Sequence, residues 1–192
     1  RAELITRSHN LFEALLNNPK YPIQIIWAGK PYPLYFPAIT DFKHLVSLIK
    51  QYNNVAVCTG YELTLSRQLK QAADVWLNNP RVPREASGTS GMTAAMNGAV
   101  NLSTNDGWIC EFINNGNNGF VVPPVDYMNM HVEEQDNYDL NQLYEILENE
   151  ILPLYYDDHD TWRQIVKNGM RDVQVQFDSN RMANEYYEIL YK

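Results

Sequence analysis

The 192-residue chain has two cysteines, Cys58 and Cys110, far apart in sequence. Two isolated thiols build neither a disulfide framework nor a cysteine zinc site; they suit a reducing, cytoplasmic setting and read as small buried hydrophobes. The four histidines, His9, His44, His131 and His159, lack ligand spacing, so no metal centre is expected. No apolar run approaches the roughly eighteen residues of a membrane span, and the opening residues lack a signal-peptide pattern. Also missing are a GKS/GKT phosphate loop, a GxGxxG fingerprint and a nucleophile elbow. These absences count against a P-loop NTPase, a simple dinucleotide enzyme and a serine hydrolase.

Basic residues are absent from one whole region. Residues 1–84 hold ten Lys or Arg against five Asp or Glu, residues 85–120 hold three acids and no base, and residues 121–192 hold fifteen acids against five bases. The net charge of −8 disfavours a nucleic-acid partner. A local anion site fed by the basic first half remains open. A hydrophobic content of 45% with 20% charge is that of a folded globular chain. The sequence starts at Arg1 with a helical pattern already under way, and reads as part of something longer.

Apolar periodicity predicts a helix over residues 3–17, stopped by Asn17-Asn18-Pro19. A buried strand over 21–28 follows, then a helix capped by Asp41 and running to about Gln51. Next come a strand at 55–60, a helix at 61–72, a strand at 73–77, a helix ending near Asn97 and a strand at 100–103. Such alternation indicates an α/β fold with a Rossmann-like parallel sheet, whose ligands gather at strand C-terminal ends. Residues 109–112 read as a possible edge strand, and an acidic linker runs to about Asp139. Stripes at three and four spacing then give a C-terminal helical extension. The expected division is a core over 1–125, with 126–192 as linker and helices packed on the same domain.

The chemistry concentrates between Arg84 and Gly98. A helix starting near Gly88 or Thr89 would aim unpaired backbone N–H groups at whatever lies over Glu85 and Ser87. Ser87, Gly88, Thr89, Ser90 and Gly91 could cradle a phosphate, or could merely cap the helix. Glu85 could bind substrate hydroxyls, or could serve the helix dipole or pair with Arg84. Lys30, following Gly29 at a strand end, could offer a point charge or be a plain surface lysine. Asn105-Asp106-Gly107 could hold a sugar or form an ordinary turn.

The segment EASGTSGMTAAMNG from Glu85 to Gly98 closely resembles the signature of the glycogen/α-glucan (maltodextrin) phosphorylases. Residues 99–107 resemble that family's continuation. Ala28-Gly29-Lys30-Pro31 and Arg1-Ala2-Glu3-Leu4 are similar to the shorter bacterial branch. The resemblance implies the C-terminal domain of a GT-B glycosyltransferase, with its active site in the cleft against an N-terminal domain, the implied partner. It implies retaining phosphorolysis of α-1,4-glucan, assisted by the phosphate of pyridoxal phosphate. Glu85, Ser87 and Gly88 would contact the glucosyl unit. Thr89 and the helix start would hold a cofactor phosphate, and Arg1 would close a basic phosphate-binding segment.

One departure stands out. The family's cofactor lysine falls at Thr93, and a hydroxyl forms no Schiff base. The E-x7-E pair of related nucleotide-sugar transferases is likewise half present, as Glu85 with Thr93. No covalently held cofactor is therefore expected, and the isolated chain is expected to be inactive. The alternatives are a nucleotide-sugar-dependent glycogen or starch synthase-like domain, and a non-catalytic glucan-binding or assembly module.

Overall fold

The computed structural model describes residues 1–191 and is α/β. In chain order the elements are α1 (His9–Leu16), β1 (Ile25–Ala28), α2 (Phe36–Leu48), β2 (Val55–Cys58), α3 (Leu63–Ala72) and β3 (Val75–Asn78). They continue with α4 (Thr89–Met96), β4 (Val100–Ser103), α5 (Ile109–Phe112), β5 (Phe120–Val121), α6 (Val132–Ile146), α7 (Leu152–Asp157), α8 (His159–Phe177) and α9 (Ser179–Leu190). All strand pairing is parallel. β1 pairs with β2, with Ile25 opposite Val55; β4 lies between β3 and β5, with Val75 opposite Val100 and Leu102 opposite Phe120. The ladder is thus split into a two-stranded and a three-stranded piece, where one sheet was expected. Apolar packing joins them: Val100 and Leu102 share a core with Leu4, Phe12, Leu143 and Ile165, and Ile25 and Val55 pack against it.

Local chemistry explains where the elements depart from expectation. The first helix is divided because the Ser8 hydroxyl accepts the Leu11 N–H and starts α1 afresh after a short 3-10 turn at Leu4–Thr6. β1 begins only at Ile25, since the Asn54 side-chain amide donates to the carbonyls of Leu16 and Ile23 and draws that stretch out of the ladder. α2 starts five residues before Asp41, with Pro37 in its first turn, so Asp41 is a mid-helix residue and no cap. Residues 109–112 form α5 and not an edge strand. Trp108 O accepts from Glu111 N and Phe112 N, and the turn buries Ile109 and Phe112 on one side. The strand beside β4 is instead β5.

The acidic stretch after residue 126 is a helix from Val132 onward. Glu134 accepts the His131 N–H, and Glu133 and Glu134 sit where the helix dipole favours them. Before α7 the helix widens into a π turn at Leu147–Ile151. Pro153, which has no N–H to give, follows in the first turn of α7. α8 lies along α4, with Val166 and Met170 beside Gly98. Its Val173 closes a second cluster with Ala95, Trp108, Ile109 and Phe112. α9 buries no residue and leaves Tyr187, Ile189 and Leu190 largely exposed. Among the described residues no helix is long and apolar enough to cross a membrane.

A buried charge cluster ties the chain's beginning to α6. Asp136, 2% exposed, receives Arg1 at 2.6 Å, Arg7 at 2.6 Å and Arg81 at 2.7 Å. Asp139, fully buried, receives Arg1 at 2.6 Å and the Tyr127 hydroxyl at 3.1 Å. Burial resists ionisation of Asp136, yet the guanidiniums of Arg81, Arg1 and Arg7 outweigh it and hold the carboxyl at about 2. At Asp139 burial wins, and its carboxyl is pushed up despite Arg1. Because the Asp136 pKa is lowered on folding, its contribution is complete above the unfolded value near 4 and is lost as pH falls toward about 2. Asp136→Asn should therefore lose on the order of 2 kcal/mol at neutral pH. It should also flatten the parent's fall in stability between those pH values, measured by denaturant unfolding across pH.

Candidate functional site

The loop from β3 to α4 is held at nearly every turn. The Asn79 carbonyl accepts from Arg1 Nε at 3.0 Å. The Pro80 carbonyl accepts from Arg1 Nη2 at 2.7 Å and from the Thr104 hydroxyl at 2.9 Å. The Val82 carbonyl accepts from the Gln135 amide at 3.2 Å. Beyond Val82 a second anchor takes over. Asp106, 8% exposed, accepts the backbone N–H groups of Arg84 and Glu85 on Oδ2, both at 2.8 Å. Its Oδ1 accepts the Gly107 N–H at 3.0 Å. The Asn105-Asp106-Gly107 turn therefore spends its carboxylate on protein backbone, and Asp106 is a positioning group for the loop that carries Glu85.

Gly107 and Trp108 bring the backbone of this turn against the start of α4. The Trp108 N–H donates to Ser87 O at 2.7 Å. A Cβ on Gly107, whose φ is +61°, would fall 2.4 Å from that same carbonyl. Gly88 has φ +106°, and a Cβ there would meet Trp108 Cδ1 at 2.7 Å, with Glu85 Oε1 3.4 Å away. The two glycines are thus required by close approach as well as by conformation. The indole lies under the helix start, and the Glu85 carboxylate lies beside it.

The capping reading of this segment fails on geometry. Gly88 is the N-cap of α4, and no side chain among the described residues caps the helix. The hydroxyls of Ser87, Thr89 and Ser90 make no hydrogen bond to protein among the described residues, and Glu85 forms no ion pair with Arg84. Gly91 N–H turns inward to Gly88 O at 3.1 Å. The opening of α4 thus presents hydroxyls and backbone donors beside a free carboxylate, an arrangement suited to a sugar carrying an anionic group. Thr93 lies one turn further on. Its hydroxyl donates back to Thr89 O at 3.0 Å and Ser90 O at 3.1 Å, so it is satisfied within the helix.

The basic residues take different places. Arg1 is 6% exposed at its side chain and wholly committed to Asp136, Asp139 and the β3–α4 loop, which makes it a brace for that loop. Lys30 is exposed, without an ion pair among the described residues, at the C-terminal end of β1. It lines a cleft of about 510 Å³ together with Arg1, Arg7, Arg81, Trp27 and Tyr35. Arg81 has no place among the residues expected from sequence. Its position after Pro80 at a strand end was the available signal. Asp136 offered none, being one carboxylate in an acidic run. Cys110 is exposed, not buried as expected, while Cys58 is half-buried. No cluster of three or more His, Cys, Asp or Glu suited to a metal occurs among the described residues.

The profile of the carbohydrate phosphorylases matches residues 5–148. The chain belongs to the carbohydrate phosphorylase family. It is 37% identical to the maltodextrin phosphorylase of Thermococcus litoralis, covering 100% of this chain and 23% of that protein. It is 33% identical to the glycogen phosphorylase of Aquifex aeolicus, covering 100% of this chain and 28% of that one. The chain thus spans less than a third of the length of these phosphorylase relatives. In fold it resembles Anabaena HepE, solved with UDP-glucose, at a TM-score of 0.66 and 19% identity over 96% of this chain and 45% of that one. It also resembles the catalytic domain of starch synthase IV of Arabidopsis thaliana, bound to ADP and acarbose. There the TM-score is 0.62 at 19% identity, covering 94% of this chain and 34% of that one. Both are GT-B glycosyltransferases, in accord with the fold expected for this phosphorylase-family chain.

Gly107→Ala should force the Ser87 carbonyl away and strain a positive φ. We expect a loss on the order of 3 kcal/mol in chemical unfolding, with chemical-shift changes spread over residues 85–91. A variant as stable as the parent would show that the turn is not packed as described.

Proposed function

We propose that this chain is the C-terminal domain of an α-glucan phosphorylase-related glycosyltransferase, acting on α-1,4-glucan and glucose phosphate. The observation that carries the reading is the uncapped start of α4 beside Glu85, locked in place by Asp106. In this reading Glu85 and the Ser87 hydroxyl receive the hydroxyls of a glucosyl unit. The backbone donors at Gly88–Ser90 and the hydroxyls of Thr89 and Ser90 receive its phosphate, and the lack of a Cβ at Gly91 lets the helix start pack against Asn101 and Trp108. Lys30 adds positive charge from the cleft it shares with Arg81, whose own charge is held by Asp136. Membership in the phosphorylase family, with relatives named for maltodextrin and glycogen, supports the substrate class.

The longer relatives support the placing of this chain as one wall of a cleft whose other wall is an N-terminal domain. Half a cleft holds a substrate but does not enclose it, and the isolated chain is assigned no turnover. The second reading, a nucleotide-sugar-dependent transferase, is favoured by the likeness in fold to proteins solved with UDP-glucose and ADP. Thr93 speaks equally against the lysine of one branch and the second glutamate of the other.

The pyridoxal phosphate implied by the family does not fit as a covalently held group. The position that should supply an amine supplies a hydroxyl already donating to two carbonyls. No step is therefore routed through it, and the chain's own residues bind and orient the sugar phosphate.

Glucose 1-phosphate titrated into the chain should shift amide resonances from Glu85 to Gly91, and Glu85→Gln should weaken binding roughly tenfold, as expected for one charged hydrogen bond. Silence of those resonances at millimolar ligand would refute the reading. Incubation with pyridoxal phosphate followed by borohydride should leave no added mass on the 85–98 segment. Recovery of a reduced adduct within that segment would overturn the view of the cofactor.

A further inference from the structure

The inner side of the first turn of α4 meets two polar atoms that the sugar-phosphate reading does not use. Trp108 is 1% exposed, and Asn101, on β4, is fully buried. The indole N–H of Trp108 and the Oδ1 of Asn101 make no hydrogen bond among the described residues. Unpaired buried donors and acceptors are costly, and protein interiors pair nearly all of them, with protein or with ordered water.

Neither group is free to turn elsewhere. The Trp108 ring stacks on Phe112 at 4.5 Å between centroids and meets Phe177 edge-on at 5.3 Å, which fixes the direction of its N–H. The Asn101 Nδ2 donates to the Gly91 carbonyl at 3.2 Å, and exchanging the ends of the amide would set two acceptors against each other. Both unpaired atoms border Gly91. A Cβ on that residue would fall 2.8 Å from Asn101 Oδ1 and 2.8 Å from Trp108 Nε1. The two atoms therefore lie within two hydrogen-bond lengths of each other without bonding directly. That is the span of a single water, which accepts from the indole and donates to the amide oxygen. Indole, amide and glycine carry no charge, so the lining matches a neutral donor–acceptor and not an ion.

We propose that Trp108 and Asn101 hold one buried water against Gly91, between the first turn of α4 and β4. The water ties the start of the helix to the sheet through two side chains. Trp108 also donates its backbone N–H to Ser87 O, so one residue steadies both the helix start and the segment that leads into it. Helix propensity alone favours alanine over glycine at position 91. The water gives glycine a second use there, since a methyl group would take its place. This site stands or falls independently of what α4 binds on its outer side.

The test is a water-selective NOE and ROE experiment on the 192-residue chain with its tryptophan indoles labelled with nitrogen-15. The Trp108 indole proton should show a cross-peak to water whose NOE has the sign of a long-lived bound molecule. Gly91→Ala should abolish that cross-peak and shift the indole resonance, because the new methyl group excludes the water. A crystal structure of the parent that resolves ordered water should place one molecule within hydrogen-bond distance of both Trp108 Nε1 and Asn101 Oδ1. A Trp108 indole signal without a water cross-peak in the folded parent would overturn the site. So would a cross-peak that survives in Gly91→Ala, or an indole that donates directly to Asn101 Oδ1 in the crystal. If Gly91→Ala does not fold, the parent's cross-peak and crystal structure decide the matter by themselves.

Discussion

A single carboxylate, Asp136, holds the geometry together. Three arginines from distant parts of the chain converge on it, and two of them, Arg1 and Arg81, also bear on the β3–α4 loop. Burying such a group is costly, and its removal would strand three guanidiniums in a half-buried space. The cluster therefore does more to specify one arrangement than to add net stability. It fixes where α6 crosses the loop, and thereby where Glu85 enters the start of α4.

The site is built on a second carboxylate with a similar task. Asp106 is occupied with backbone on both oxygens, which frees Glu85 and the hydroxyls of Ser87, Thr89 and Ser90 from structural duty. The two acids divide the work by their surroundings: a buried one binds backbone, and a half-exposed one is left open. The same division separates the arginines from Lys30. Arg1 is spent within the fold, while Lys30 stands at the cleft with no partner among the described residues.

Much of this was legible in the sequence because it depends on local chemistry. Alternating strands and helices, the small residues at the start of α4 and the turn at residues 105–107 all follow from short-range patterns. The failures came where distant contacts decide. Residues 109–112 have strand-like composition, but Trp108 and the α8 face make them a helical turn. The acidic stretch up to about Asp139 looked like solvated linker, yet the helix reaches back to Val132 and buries Gln135, Asp136 and Asp139. Arg1 resembled part of an anion site, and only the buried Asp136 and Asp139 show what its charge is doing. An ion pair separated by more than a hundred residues leaves no periodicity to read.

That separation also sets an order of events. Arg1 and Asp136 are 135 residues apart, and Arg81 and Asp136 are 55 apart. As the chain emerges from the ribosome, β1 through β4 are complete before either partner carboxylate exists to hold them. Until α6 arrives, the Glu85 loop has its Asp106 anchor but not its upstream one, and the arginines remain in water. The α6 carboxylates are thus made after the loop they hold, and the pocket is locked into register only once that helix is present.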